Sequence, residues 1–260
     1  MQGELERALA TVCHEPVRIA GAGRTDAGVH AIGQVMSFRT ASALDGSKMG
    51  RGVNALLPVD IAVSALEPCG NDFHARFSAT GRTYEYRLRV GSERDPLERW
   101  AYHHPAVLRL GAMRDASAML VGRWDFAAFA SGEGQGRGTV RTVRRAEWSH
   151  DGELLRFEIE ADAFLRGMVR AIVGTLLWVG RGKIDTERFG EIVRSVDRAM
   201  AGPNAPAQGL CLTEVAYDER AADPRDARDP REAGQTGLEH GQSERERPRR
   251  GTNADDNDQH

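Results

Sequence analysis

Cysteine is scarce in this 260-residue sequence, and its three copies form no recognisable group. Cys13, Cys69 and Cys211 lie far apart, are odd in number and include no C-x-x-C pair. Neither a zinc site nor a disulfide framework is therefore indicated. The eight histidines likewise lack metal-ligand spacing such as H-E-x-x-H. We expect a protein of a reduced, cytoplasmic setting without a metal ion.

No hydrophobic run is long enough to cross a bilayer. The most apolar stretch, MVRAIVGTLLWVG at residues 168–180, is interrupted by Arg170, and it is shorter than the roughly 20 apolar residues of a membrane helix. The N-terminus also lacks the basic segment and apolar core of a secretory signal. We expect a soluble intracellular protein that contacts no membrane.

Lysine is almost absent, occurring only at positions 48 and 183, so the positive charge is carried by arginine. Arginine suits bidentate phosphate contacts and stacking on bases better than lysine does. Of the 38 acidic and 35 basic residues, 11 and 8 lie after residue 218, which leaves 27 of each in residues 1–218. A net charge of zero does not exclude a nucleic-acid partner, because the distribution of charge over the surface decides binding.

The C-terminal stretch, residues 219–260, has no aromatic residue and a single leucine. Such a segment cannot bury enough apolar surface to offset the entropy of ordering. We expect it to form a disordered, charged tail.

Hydrophobic periodicity divides the remaining chain into two units. In residues 1–70, Leu5, Ala8 and Leu9 repeat at helical spacing. In residues 71–218, Tyr84, Tyr86 and Leu88 alternate with polar residues, as in a strand with one apolar face. The first unit is predicted to contain helices at 4–12 and 48–57, the second stopped before Pro58, and strands at 16–20, 33–40 and 60–68. The second is predicted to contain helices at 111–121 and 163–180, a strand within 73–92 that alternates over 83–90, and strands at 141–150, 154–161 and 209–218.

The stretch GAGRTDAGVH, residues 21–30, places a carboxylate inside a glycine-rich loop. Its glycine spacing does not match G-x-G-x-x-G, and no Gly-Lys-Ser/Thr follows to make a P-loop. A central Asp26 would also repel a phosphate. One alternative is a turn in which Asp26 bonds its own backbone while glycines supply positive φ. The other is a functional carboxylate.

Two further side chains have competing interpretations. On the predicted helix, Arg166 and Arg170 lie one turn apart. A buried Arg170 needs a carboxylate or carbonyl partner, such as Asp26, whereas the alternative is that it extends to solvent. Tyr84 is either a core tyrosine with a locally satisfied hydroxyl or a stacking platform for a base. His30 and His74 are acid–base candidates without a recognisable triad partner.

Four stretches together resemble the TruA family of tRNA pseudouridine synthases over essentially all of residues 2–218. They are AGRTDAGVHAIGQV at 22–35, DFHARFSATGRTYEYR at 72–87, FLRGMVRAIVGTLLWVGRG at 164–182 and APAQGLCLTEVAYD at 205–218. The resemblance implies an α+β fold of two successive α/β units, with mixed, mainly antiparallel sheets flanked by helices and a catalytic cleft between the units. It also implies conversion of uridine to pseudouridine at positions 38, 39 and 40 of the tRNA anticodon stem-loop, without a cofactor and usually by a homodimer.

Residue roles follow from the same resemblance. Asp26 matches the essential aspartate, Tyr84 the base-contacting tyrosine and Arg170 the arginine that pairs with the aspartate. Arg24 matches the residue that occupies the space left by the flipped base. Tyr84 would hold the uracil and accept the C5 proton. Candidates for phosphate contacts are Arg76, Arg82, Arg87, Arg89 and the arginines of 137–145.

One departure from the family pattern concerns the N-terminus. The family's chain begins with a strand carrying a YDG…GWQ-like segment, and this sequence has no counterpart of it. We expect an uncovered strand or hydrophobic face and reduced stability. Two other functions are considered: a catalytically silent RNA-binding protein of the same fold, and a glycosidase using Asp26. The glycosidase would need a second carboxylate as general acid, which the motif regions do not offer.

Overall fold

The computed structural model describes residues 1–131 and 138–218, and the predicted tail at 219–260 lies outside the described residues. The described residues form five α-helices and nine β-strands, which confirms the α+β class. The helices are α1 (Gln2–Cys13), α2 (Gly46–Leu56), α3 (Leu110–Ala118), α4 (Met168–Gly180) and α5 (Thr186–Ser195). The strands are β1 (Ile19–Gly21), β2 (His30–Ala31), β3 (Met36–Phe38), β4 (Ala79–Val90), β5 (Tyr102–His104), β6 (Gly122–Asp125), β7 (Val140–Asp151), β8 (Leu154–Ala161) and β9 (Leu210–Tyr217).

The strands form two sheets of different size. β1 and β3 pair antiparallel in a two-stranded sheet. The other seven form a mixed, mainly antiparallel sheet in the order β2-β9-β4-β8-β7-β6, with β5 pairing with β4. β1 and β2 follow each other in sequence but belong to different sheets. The segment between them, residues 22–29, therefore runs from one sheet to the other, and we call it the aspartate loop.

The main hydrophobic core joins the large sheet to helices α3, α4 and α5. Every second residue of β8 is buried, and Phe157 and Ile159 are fully so. Eleven of the residues of α4 are buried, and Arg170 is the charged residue among the rest. Because burial of apolar surface is the main favourable term in folding, α4 is a fixed support for Arg170. No helix among the described residues is long and apolar enough to cross a bilayer.

A smaller core lies beneath α1 and α2, where Leu9, Met49 and Val53 are buried together. The carboxylate of Asp45 accepts a hydrogen bond from the backbone N–H of Lys48 at 2.9 Å and so caps the start of α2. These two helices confirm the two helices predicted for the first unit. The division of the chain near residue 70 stays a prediction.

Two segments differ from their predicted structure. The stretch at 60–68 is not a strand, because the side-chain amide of Asn54 binds both the N–H and the C=O of Val63 in place of a neighbouring strand. The helix predicted at 163–180 begins only at Met168. Gly167 has a φ of +71°, in the left-handed region, and this breaks the helix before Arg166 can join it.

Helix α5 was not predicted from the sequence, although its signals are present. Asp185 accepts a hydrogen bond from the backbone N–H of Arg188 at 2.8 Å, as an N-cap does. Phe189, Ile192 and Val193 follow at helical spacing and are buried. An Asp-Thr-Glu start followed by this spacing is the usual sequence signature of a helix.

Candidate active site

The aspartate loop is closed at its base by two contacts with the segment that follows β2. The N–H of Ala22 donates to the carbonyl of Val35 at 2.8 Å, and the Gln34 amide donates to the carbonyl of Gly23 at 3.0 Å. A turn at Asp26 reverses the chain, with the N–H of Val29 donating to the Asp26 carbonyl at 3.0 Å. The Asp26 carboxylate itself bonds no backbone group of the loop. It points instead towards the segment around α4, which is not the turn alternative considered from sequence.

Arg170 is the main partner of that carboxylate. Its Nη1 lies 3.1 Å from Asp26 Oδ2, and the two side chains are 20% and 28% exposed. Its Nε donates to the carbonyl of Ala205 at 2.8 Å, and the N–H of Ala205 donates back to the Arg170 carbonyl at 2.9 Å. One guanidinium thus joins the aspartate loop, α4 and the segment before β9. Of the two interpretations from sequence, the structure shows the paired arginine.

Arg166 approaches the other carboxylate oxygen. Its Nε lies 3.9 Å from Asp26 Oδ1, and its side chain is 78% exposed. Because α4 starts at Met168, Arg166 and Arg170 are not one helical turn apart as predicted. They nevertheless reach opposite oxygens of the same carboxylate.

Tyr84 lies on β4 within electrostatic reach of Asp26. Its ring packs edge-on against Phe164, with ring centroids 5.1 Å apart. Burial raises the pKa of Tyr84 to about 12; the negative charge of Asp26 adds to this shift, while the nearby Arg82 opposes it. Its hydroxyl makes no hydrogen bond with a described residue. Tyr84 therefore presents a neutral phenol beside the carboxylate.

Arg24 lies in the aspartate loop two residues before Asp26, and its side chain is exposed. Within residues 1–131 and 138–218 it has no hydrogen-bond or ion-pair partner. An unpaired arginine at the rim of the site is free to enter a bound substrate.

Arg82, a candidate for phosphate contact, has a structural task instead. Its Nη2 donates to the carbonyls of Ala22 at 3.1 Å and Arg76 at 2.8 Å. Its Nη1 donates to the carbonyl of Asp162 at 2.9 Å and, more weakly, to that of Ala79 at 3.3 Å. This guanidinium therefore fixes the start of the aspartate loop to the large sheet and is not available to a phosphate.

Most of the other phosphate candidates are paired with carboxylates. Arg87 pairs with Glu85, and Arg89 pairs with Asp95 and Glu153. The pairs from β7 to β8 are Arg144–Glu160, Arg145–Glu158 and Arg145–Glu160. Arg137 lies outside the described residues, and Arg141 donates to the carbonyls of Gly138 and Val140. Arg76 is exposed, with its guanidinium 5.7 Å from the centre of the Phe77 ring.

The two histidines considered from sequence have local contacts. His74 Nδ1 accepts from the backbone N–H of Arg76 at 3.1 Å, which shapes the turn before β4. His30 packs edge-on against Trp100 with ring centroids 4.3 Å apart. Its buried Nε2 has no partner among the described residues. No three metal-ligating side chains of the described part of the chain lie close enough to hold an ion.

The charges around Asp26 do not balance. One carboxylate faces Arg170 and Arg166, and Arg24 adds a third positive charge nearby. Such a site attracts an anionic substrate. A carboxylate held by a partly buried arginine beside a protonated tyrosine, with exposed arginines near it, defines the candidate active site of an enzyme for an anionic substrate.

Comparison with known proteins agrees with this class. The profile of a family described as tRNA pseudouridine synthase matches residues 1–78 and 116–218. A tRNA pseudouridine synthase A of Geobacter sulfurreducens is 44% identical over 218 residues, which covers 84% of this chain and 89% of the relative. The proteins of the same name from Chloroflexus aurantiacus and Geobacillus kaustophilus are 46% and 42% identical, each over 84% of this chain and over 80% and 86% of the relative.

The chain belongs to the TruA family of tRNA pseudouridine synthases, isomerases that act on uridine in tRNA. The resemblance stated from four motifs is thereby confirmed. The Ala205 carbonyl and Arg166 are the parts of the site that sequence reasoning did not assign. A backbone carbonyl leaves no signal in the sequence, whereas the helical spacing already placed Arg166 next to Arg170 without giving it a role.

Proposed function

We propose that this chain converts uridine to pseudouridine at positions 38, 39 and 40 of the tRNA anticodon stem-loop, with Asp26 as the essential carboxylate and no cofactor. The observation that carries the proposal is the Asp26 carboxylate. Arg170 fixes Oδ2 at 3.1 Å, while among the described residues only the exposed Arg166 approaches Oδ1, at 3.9 Å. A carboxylate with one fixed oxygen and one accessible oxygen is suited to act on a ribose.

The reaction breaks the C1′–N1 bond, turns the uracil while it stays bound and forms a C1′–C5 bond. Asp26 serves in either of two routes. Its free oxygen attacks C1′ and is later displaced by C5, as in retaining glycosidases. Alternatively it removes the C2′ proton to give a glycal and returns that proton at the end. In both routes C5 loses its hydrogen after the new bond has formed.

Base flipping gives Tyr84 and Arg24 their proposed roles. The target atom is unreachable within a stacked stem, so the nucleotide must leave the helix. The half-buried ring of Tyr84 would hold the uracil, and the exposed Arg24 would fill the vacated place in the stack. Because its pKa is raised to about 12, Tyr84 stays protonated at neutral pH. It could take the C5 proton only by giving up its own hydroxyl proton at the same time.

We also propose that the enzyme works in the cytoplasm as a homodimer. The family resemblance supports this, as do the exposed hydrophobic side chains of Leu97, Trp100 and Val107, which a second copy would cover. Sedimentation equilibrium that gave only the monomer mass at all concentrations would refute the dimer.

The test is tritium release from [5-³H]uridine-labelled tRNA. The parent should release tritium, and Asp26→Asn, which keeps the shape but loses the charge, should release none. Asp60→Asn removes an exposed carboxylate from a turn outside the site and should behave as the parent. Substrates with uridine at only one of the three positions would show which are modified. Intact tRNA binding without release by the parent would favour the silent RNA-binding protein.

A further inference from the structure

Arg166 lies close to Asp26 although its side chain is largely exposed. It approaches the candidate catalytic carboxylate to 3.9 Å, yet its side chain is 78% exposed. Its guanidinium makes no hydrogen bond with a described residue, so its Nη donors are free. By contrast, Arg170 is 20% exposed and hydrogen-bonded to both Asp26 and Ala205.

The backbone at Arg166 is fixed even though the side chain is not. The N–H of Ser131 donates to the Arg166 carbonyl at 2.9 Å. The next residue, Gly167, is in the left-handed region, and a Cβ there would lie 2.5 Å from Ser131 Oγ. The backbone thus places an exposed guanidinium, with free Nη donors, within reach of Asp26 Oδ1.

The charge balance indicates what that guanidinium binds. Arg170 alone neutralises Asp26, which leaves Arg166 without a full counter-charge. In water a guanidinium gains most from an anionic partner, and its planar donors match the oxygens of a phosphodiester. If the ribose of a target nucleotide meets Asp26, the two phosphodiesters attached to that nucleotide are the nearest anions in the RNA.

We propose that Arg166 is a phosphate clamp that binds one of the two phosphodiesters flanking the target uridine. The inference rests on the proposed function, because it requires a ribose at Asp26. In the free enzyme Arg166 lies against Oδ1. When RNA enters, the guanidinium turns to the phosphate, and Oδ1 is left open to the ribose while Arg170 continues to hold Oδ2.

The experiment uses tRNA with a single neutral methylphosphonate in place of the phosphodiester on the 5′ or the 3′ side of the target uridine. Dissociation constants are measured for the parent and for Arg166→Gln. On unmodified tRNA we expect Arg166→Gln to bind about ten-fold more weakly, as for loss of a charged hydrogen bond. Its binding should also depend less on salt, by a logarithmic slope of about one.

The decisive result is the coupling between protein and RNA. The methylphosphonate at one of the two positions should weaken the parent about ten-fold but leave Arg166→Gln unchanged, since the contact is already lost. Arg188→Gln removes an arginine on α5 that pairs with Glu191 and serves as the matched control. It should respond to the neutral linkage as the parent does. Arg166→Lys should restore part of the binding, because it keeps the charge.

Two results would overturn the clamp. One is that Arg166→Gln binds unmodified tRNA as tightly as the parent does. The other is that Arg166→Gln binds both neutral-linkage tRNAs more weakly than the parent, by the same factor as on unmodified tRNA. A partial loss of folded Arg166→Gln lowers its affinity for unmodified and for neutral-linkage tRNA by the same factor. The ratio of the two dissociation constants therefore does not depend on how much of the variant is folded. Pseudouridine formation by the parent is measured on the same unmodified tRNA. Coupling without pseudouridine would refute the proposed function alone, and pseudouridine without coupling would refute the clamp alone.

Discussion

Replacing Arg170 by methionine removes the guanidinium that joins Asp26 in the aspartate loop to Ala205 in the segment before β9. Methionine has a similar length and keeps apolar contact with the core around α4. It loses the donor to Asp26 Oδ2 at 3.1 Å and the donor to the Ala205 carbonyl at 2.8 Å. Arg170→Lys keeps the charge but has a single nitrogen, which cannot occupy both donor positions.

The expected loss of stability can be worked out from these two contacts. A hydrogen bond from a charged donor contributes about 1.5–3 kcal/mol to folding. Both side chains of the ion pair are partly exposed, at 20% and 28%, so water replaces part of it. We therefore expect Arg170→Met to lower the free energy of unfolding by about 2–3 kcal/mol in total. In a domain of this size that corresponds to a melting temperature lower by about 5–10 °C.

Thermal and urea unfolding of the parent, Arg170→Met, Asp26→Asn and the double variant measure this directly. The coupling energy of the cycle should be about 1–2 kcal/mol, since the second substitution removes a contact already lost. Tritium release should fall in Arg170→Lys as well as in Arg170→Met, because the carboxylate is no longer fixed. If Arg170→Met melts at the same temperature as the parent and the effects of the two substitutions simply add, Arg170 does not stabilise the fold by joining Asp26 to Ala205.

Two further predictions concern packing and pH. A Cβ at Gly174 would lie 1.7 Å from the Pro203 carbonyl oxygen, so Gly174→Ala should lose several kcal/mol or fail to fold. Gly50→Ala on α2 meets no atom within 4 Å and should gain about 0.5–1 kcal/mol in urea unfolding; equal results for the two would contradict the packing. Because the pKa of Tyr84 is raised to about 12 from its ordinary value near 10, its contribution to stability is complete below pH 10 and is lost as the pH rises towards 12. Urea midpoints should therefore fall less steeply above pH 10 in Tyr84→Phe than in the parent, and equal slopes would contradict this.

Much of the fold could be predicted because its signals are local. Leu5, Ala8 and Leu9 mark α1 by helical spacing, and β8 was predicted with the bounds that the structure shows, at 154–161. Physical reasoning made the partnership of Asp26 and Arg170 one of two alternatives, since a charge buried on an apolar helix needs a counter-charge unless it reaches solvent, and the family resemblance implied the pair. Their separation along the chain did not matter to that argument.

The rest depends on contacts that leave no local pattern. Arg82 lies on β4 between Gly81 and Thr83, and nothing in this local sequence shows that it binds four backbone carbonyls from three parts of the chain. The segment at 60–68, predicted as a strand, has no neighbouring strand among the described residues, and the backbone groups of Val63 bond the side chain of Asn54 instead. Carbonyl groups occur at every residue, so no composition or spacing indicates which of them an arginine will bind.

The backbone angle φ of Gly167 determines where α4 starts, and so determines whether Arg166 belongs to the helix. Had the helix begun at residue 163, Arg166 would stand one turn from Arg170 on a single rigid face. The left-handed Gly167 instead releases Arg166 from the helix. The two arginines therefore meet the carboxylate from different supports, one buried and one exposed. This asymmetry makes the two oxygens of Asp26 unequal, because one is held by the buried Arg170 and the other is approached only by the exposed side chain of Arg166 among the described residues.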